Sequence, residues 1–172
     1  MNQWFIGALG SVLGFALSQL LAFYVFQKGM ETSQKVEKIH LARELVTDFY
    51  DEDAKTFKAL RTSIESCEQL YKEYKKGGNF SNDEINSYLG FFDDIGFYYR
   101  EGALDLPIID QHFGAYIIEA NEYHELRRYI QELQSNAKQK TAFANFQALS
   151  EALERLPERK ELTELSRRGC DG

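Results

Sequence analysis

WFIGALGSVLGFALSQLLAFYVF, residues 4–26, is a run of twenty-three residues without one Asp, Glu, Lys or Arg. A helix rises about 1.5 Å per residue, so this stretch reaches roughly 34 Å, enough to cross a hydrocarbon core of about 30 Å with modest tilt. A cleaved signal peptide is the competing reading. Three features weigh against it: no basic residue precedes the run, the run exceeds the usual apolar region of about 7–15 residues, and Phe23, Tyr24 and Phe26 stand where a small-x-small cleavage site belongs. The stretch is therefore read as a membrane anchor over residues 1–27. None of Met1 to Gln3 is basic, whereas Lys28, Lys35, Lys38 and Arg43 follow the run. Positive residues stay on the cytoplasmic side, which puts the N-terminus outside an inner membrane and the rest of the chain in the cytoplasm. Trp4 at one end and Phe23 and Tyr24 at the other suit the two headgroup belts.

Within the run, Gly7, Ser11, Gly14 and Ser18 step by four, three and four, with Gly10 beside them and Gln19 next to Ser18. One helix face thus carries small residues, which let two backbones approach closely, and polar groups that can hydrogen-bond across the contact. The expectation is a homo-oligomer held through these six residues. The plainer alternative is that Gly and Ser are simply common in membrane spans.

Roughly 145 residues follow the run, one ordinary domain by size. Residues 44–154 hold eleven basic and twenty-one acidic residues, a net charge of −10. Such a body repels both nucleic-acid backbones and the anionic leaflet, so neither DNA nor RNA duplex binding is expected. Lys72, Lys75, Lys76 and the pair Arg127–Arg128 are local basic clusters, read either as solvated faces or as a seat for a small anion. Cys67 and Cys170 show no metal or redox spacing and are read as plain thiols in a reducing compartment.

The rest reads as helices. Residues 28–50 form a juxtamembrane stalk, with Val36, Ile39, Val46 and Phe49 on about one face, Leu41 and Leu45 on another, and only Gly29 as a possible break. A helix over about 52–75 ends at Gly77–Gly78. Ser81 and Glu84 form a capping-box pattern opening a helix over about 82–100. Asp93 and Asp94 fall on its polar side and are read as solvated acids; Phe97, an aromatic on the same arc, is a candidate partner contact. Asp105-Leu106-Pro107 starts the next helix, about 106–135. A final one covers about 141–155, with a charged tail over 157–172. The fold class is all-α: a single N-terminal transmembrane helix, then a cytosolic bundle of about four to five helices over 51–156.

In the helix from 106, His112, Tyr116, Glu119 and Tyr123 again step by four, three and four, and Arg127 continues the series. An imidazole, two phenols and a carboxylate in apolar surroundings must find partners, and sites with shifted pKa values often look like this. The readings are a structural hydrogen-bond network, a ligand pocket, or a metal or hydrolase site built on His112 and Glu119. No phosphate loop, nucleophile elbow or His-Glu-x-x-His is found. Glu37-x-x-His40 is half of a di-iron bundle signature, and the second half is missing. No catalytic residue, metal or cofactor is assigned.

Residues 82–134, with LGFFDDIGFYYREGALDLPIIDQHFGAYI at their centre, and the Phe/Leu-spaced helix from Phe143 to Leu153 resemble a bacterial family of membrane-anchored helical proteins defined only as a domain of unknown function. The resemblance lies in a helix–Gly–Asp–helix unit, here Phe91, Phe92, Gly96, Gly102, Asp105, Phe113 and Gly114. It implies one span followed by a small cytosolic helical domain and brings no catalytic residues. The architecture is also similar to that of membrane-anchored phage-defence effectors, including the type III CRISPR membrane effector that binds a cyclic oligoadenylate. The expectation is a sensor or interaction module that couples a cytosolic protein or small ligand to the self-associating span. Its alternative is a ligand-gated, oligomeric, membrane-disrupting effector.

Overall fold

No proline interrupts residues 3–50, and in the computed structural model they form one helix, α1 (Gln3–Tyr50). The structure describes residues 3–51, 55–70, 78–157 and 159, with side chains from residue 23 onward. Gly29 lies inside α1 and does not break it. Five helices follow: α2 (Lys55–Glu65), α3 (Asn82–Arg100), α4 (Leu106–Glu122), α5 (His124–Ser135) and α6 (Ala144–Glu154). The fold is all-α, with no strand among the described residues. Among those residues no helix is long and apolar enough to cross a membrane. The side chains of residues 4–22, including Gly7, Gly10, Ser11, Gly14, Ser18 and Gln19, lie outside the described set, as do most of the tail residues after Pro157. The chain divides into two compact units, residues 1–40 and 41–172.

In the first unit Phe23, Phe26, Met30, Val36 and Ile39 are exposed. In the second, Ala42, Leu45 and Phe49 are buried, so the core-facing stripe of α1 is not the one expected from Val36, Ile39, Val46 and Phe49. Phe49 is the hub. Its ring lies 5.3–6.1 Å, centroid to centroid, from those of Phe57, Phe91, Phe92, Phe113 and Tyr116, which brings α2, α3 and α4 onto the end of α1. Burying a side chain of this size stabilises by about 1.5–3 kcal/mol, and aromatic pairing adds about 0.5–1.5 kcal/mol. Ile85, Tyr88, Leu89, Phe92 and Ile95 of α3 are fully buried at helical spacing, as the sequence predicts.

Helix ends depart from expectation, each for a local reason. α2 stops at Glu65 rather than near residue 75. Cys67 takes a left-handed conformation (φ 54°), its N–H bonding Ile64 O at 3.1 Å while Glu68 N–H reaches Ser63 O at 2.8 Å. That is the pattern with which glycine usually closes a helix, placed here on a cysteine. Cys67 is disulfide-bonded, which corrects its reading as a plain thiol; Cys170 lies outside the described residues. The predicted helix over 106–135 is two helices, because Tyr123 is extended (φ −65°, ψ 118°) between α4 and α5. Its buried ring turns inward and its hydroxyl donates to Glu68 O, while Glu125, one step past the break, accepts the Leu70 N–H at 2.8 Å. The apolar periodicity runs through this corner, which hid it.

The capping box of α3 is present as predicted, with Ser81 Oγ and the Glu84 carboxylate each accepting from the other's N–H. α6 starts at Ala144, and the residue before it, Phe143, is left-handed (φ 56°) with no capping side chain. The cap comes from another helix. Asp93 of α3 accepts the Phe146 N–H at 2.9 Å and the Asn145 side-chain amide at 3.1 Å, so Asp93 is not a solvated acid, although its neighbour Asp94 is exposed. One turn on, Gly96 leaves room for the Asn145 backbone, and Arg100 donates to Asn145 Oδ1 at 2.6 Å. Asp93, Gly96 and Arg100 thus form one face that receives the start of α6.

Candidate functional site

Helix α1 ends at Tyr50, and three elements meet there. α2 supplies Arg61, α4 supplies Tyr116, and the last two residues of α1 supply Phe49 and Tyr50. The Arg61 guanidinium carbon stands 4.9 Å from the Tyr116 ring centroid, 5.4 Å from Tyr50 and 5.5 Å from Phe49. Rings attract a cation through their negative faces, so three of them make a seat for the guanidinium. The Tyr50 hydroxyl donates to the Tyr116 oxygen at 3.1 Å, which leaves the Tyr116 proton available to another acceptor. Tyr50 is half exposed and Arg61 partly so. Among the described residues Arg61 has no carboxylate within ion-pair distance.

The surroundings of this seat shift its acids. Burial pushes the Glu119 carboxyl above the usual range; Glu65 and Glu122 add to this, and Arg159 and Arg61 oppose it. Burial also raises the Tyr88 phenol strongly, with Arg61 pulling the other way and Glu119, Glu65 and Tyr116 reinforcing. Tyr50 is raised by burial first and then by its bond to Tyr116. The result is a guanidinium backed by rings, beside phenols that stay neutral and a carboxyl that holds its proton more tightly than a free one. That set can stack, donate hydrogen bonds and change charge in mild acid.

A second cross-link lies on the same helix. Arg159 pairs with the Asp110 carboxylate and donates to the Asp110 carbonyl at 3.3 Å, both side chains about four-fifths buried. A methyl group at Gly114 would stand 2.6 Å from the Arg159 Nη2 atom, so the glycine is what lets the guanidinium lie on α4.

The structure separates the residues that α4 spacing groups together. Tyr116 belongs to the seat, and Glu119 is felt by Arg61 from one turn away. His112 is exposed, its ring near Phe113. Tyr123 is a corner residue whose phenol is pushed up to about 12, chiefly by burial and then by Glu125 and Glu68. Arg127 is exposed and donates to the Glu122 carbonyl at 3.2 Å, which closes the α4–α5 corner. Phe97 is exposed, as its place on the polar arc predicts, with the Arg100 guanidinium 5.1 Å from its ring. Among the described residues no group of three or more His, Cys, Asp and Glu stands where it could hold a metal. Tyr50 and Arg61 were missed from the sequence. The signals were an aromatic doublet at a helix end and a lone arginine within an apolar helical pattern.

A family model described as a domain of unknown function, DUF4760, matches residues 12–153. The chain belongs to the DUF4760 family. The match takes in α2 to α5 whole and α1 from residue 12, so Phe49, Tyr50, Arg61 and Tyr116 all lie inside it. No curated protein and no solved structure matches the chain.

Proposed function

We propose that this DUF4760 protein is a single-pass membrane module whose helical bundle binds a ligand or partner at the end of α1 and passes that state to a self-associating span. The observation that carries the reading is the Tyr50 joint: the last residue of the helix that holds the uncharged run is bonded to α4 and stacked by α2. A contact made there acts directly on α1. The apolar length of residues 4–26 supports the anchor, and the Gly7, Gly10, Ser11, Gly14, Ser18, Gln19 face supports the homo-oligomer. No catalytic role is proposed.

Lys28, Lys35, Lys38 and Arg43 favour an inner-membrane orientation with the bundle in the cytoplasm. Protease protection of the bundle in sealed right-side-out vesicles decides the side: a protected bundle supports the cytoplasmic placement and a cleaved one reverses it. The alternative of a membrane-disrupting, phage-defence effector rests on the same small-residue face, and dye leakage from liposomes on adding a ligand separates it from a signalling module.

The central test is the stoichiometry of the full-length protein in nanodiscs beside a Gly7→Leu/Gly14→Leu/Ser18→Leu variant. A defined oligomer that the triple change dissociates supports the proposal. Extraction of the wild type by alkaline carbonate, or a monomer in both cases, overturns it.

A further inference from the structure

We infer that the Arg61 seat is a binding site for a phosphoryl oxyanion; this rests on the reading of the Tyr50 joint as the point where the bundle is addressed. The donors carry the inference. The ring faces of Phe49, Tyr50 and Tyr116 hold the guanidinium at 4.9–5.5 Å. The guanidinium N–H groups lie in its own plane as a fork that fits two oxygens of a phosphate. The Tyr116 hydroxyl, which accepts from Tyr50, has its own proton to give to a third oxygen.

The charge balance points the same way. Arg61 is a partly buried guanidinium held by rings and by the Tyr50 hydroxyl, without a carboxylate in reach among the described residues, whereas Arg159 is paired with Asp110. Glu65 and Glu119 are the acids nearest in effect and act on the seat from beyond ion-pair distance. They weaken a fully ionised ligand, and Glu119 weakens it less as its carboxyl takes up a proton. The phosphoryl group has two possible sources, a small soluble phosphomonoester or the headgroup of an anionic lipid.

Two arms of one experiment test this and tell the sources apart. Full-length protein in phosphatidylcholine nanodiscs is titrated with radiolabelled orthophosphate and with adenosine monophosphate by equilibrium dialysis. In parallel, its retention of phosphatidic acid is measured in discs doped with that lipid. The expected result is saturable binding in at least one arm, weakened about tenfold or more by Arg61→Ala and only partly restored by Arg61→Lys, which keeps the charge but loses the fork. Should Arg61→Ala disturb the fold, the Tyr50→Phe/Tyr116→Phe pair keeps the rings and removes only the hydroxyls; binding is expected to fall about fivefold. No saturable binding in either arm, or binding that neither variant weakens, overturns the inference. Dialysis reads binding rather than assembly, so a monomeric or carbonate-extractable protein would sink the proposed function without deciding this site.

Discussion

Gly96→Ala and Gly90→Ala make the sharpest test of how the bundle is assembled, because both change the same residue type on the same helix. In an exposed helix interior, alanine is favoured over glycine by roughly 0.5–1 kcal/mol. At Gly90 a methyl would meet nothing within 4 Å, so this term acts alone and the variant is expected to be more stable than the wild type by about that amount. At Gly96 the methyl would stand 2.6 Å from the Asn145 carbonyl carbon and 3.0 Å from its Cβ. Carbon atoms in contact rest at about 3.5–4.0 Å, so the first turn of α6 must shift by about 1 Å. Overpacking of this kind costs about 1–3 kcal/mol, and the shift also stretches the hydrogen bonds from Phe146 N–H and Asn145 to Asp93. The clash outweighs the propensity gain, and Gly96→Ala is expected to be about 2 kcal/mol less stable than the wild type. Urea unfolding followed by circular dichroism in mild detergent gives the two differences, and amide exchange at Phe146 localises the loss. Equal effects of the two substitutions would refute the close seating of α6 on α3.

The cap in trans makes its own prediction: Asp93→Ala should cost about 1–2 kcal/mol and open the amides of the first turn of α6 to exchange, with Asp93→Asn less severe. Glu125→Ala strips the Leu70 N–H of its acceptor in a buried position and should cost about 1–3 kcal/mol, read as faster exchange at Leu70 and protease cleavage near it. Glu119 has a folded-state pKa above its unfolded value, so its contribution is fully present below the unfolded value and is lost as the pH rises through the folded one. Glu119→Gln should therefore flatten the stability profile across that mildly acidic window; an unchanged slope would show that Glu119 is not held in the environment described. Phe49→Ala should cost about 3–5 kcal/mol in the same urea assay, whereas Tyr50→Phe should stay within about 1 kcal/mol of the wild type.

Much of this fold was legible in the sequence because period and punctuation agree in α3. Ser81 and Glu84 cap it, and Ile85, Tyr88, Leu89, Phe92 and Ile95 fall on one face whatever they pack against. Other ends were hidden because they depend on partners far along the chain. A left-handed cysteine at position 67 closes α2 without a glycine, and Tyr123 breaks α4 from α5 by reaching Glu68, fifty-five residues away. Asp93 looked solvated because its partner is a backbone amide fifty-three residues on, and main-chain donors leave no trace in composition. The site was half legible for the same reason. Spacing along α4 found Tyr116 and Glu119, but a helix wheel cannot show that α1 and α2 deliver Tyr50 and Arg61 to them.

The energies at the end of α1 divide into two classes. Phe49 is 3% exposed and touches rings on three other helices, so its burial and pairing hold the helix in the bundle by several kcal/mol. The Tyr50–Tyr116 hydrogen bond and the stacking of Arg61 lie at the surface, where each is worth about 0.5–1 kcal/mol. A ligand that drew Arg61 out of its stack would compete with the second class and leave the first untouched. Coupling between sites in proteins amounts to about 1–3 kcal/mol, which matches those surface contacts and falls short of the anchor. Under the proposed function, a ligand of that kind would act on the last turn of α1 while Phe49 keeps the helix in place. The same division of energies makes Arg61→Lys and Tyr50→Phe changes in response at nearly constant stability, and Phe49→Ala a loss of the joint itself.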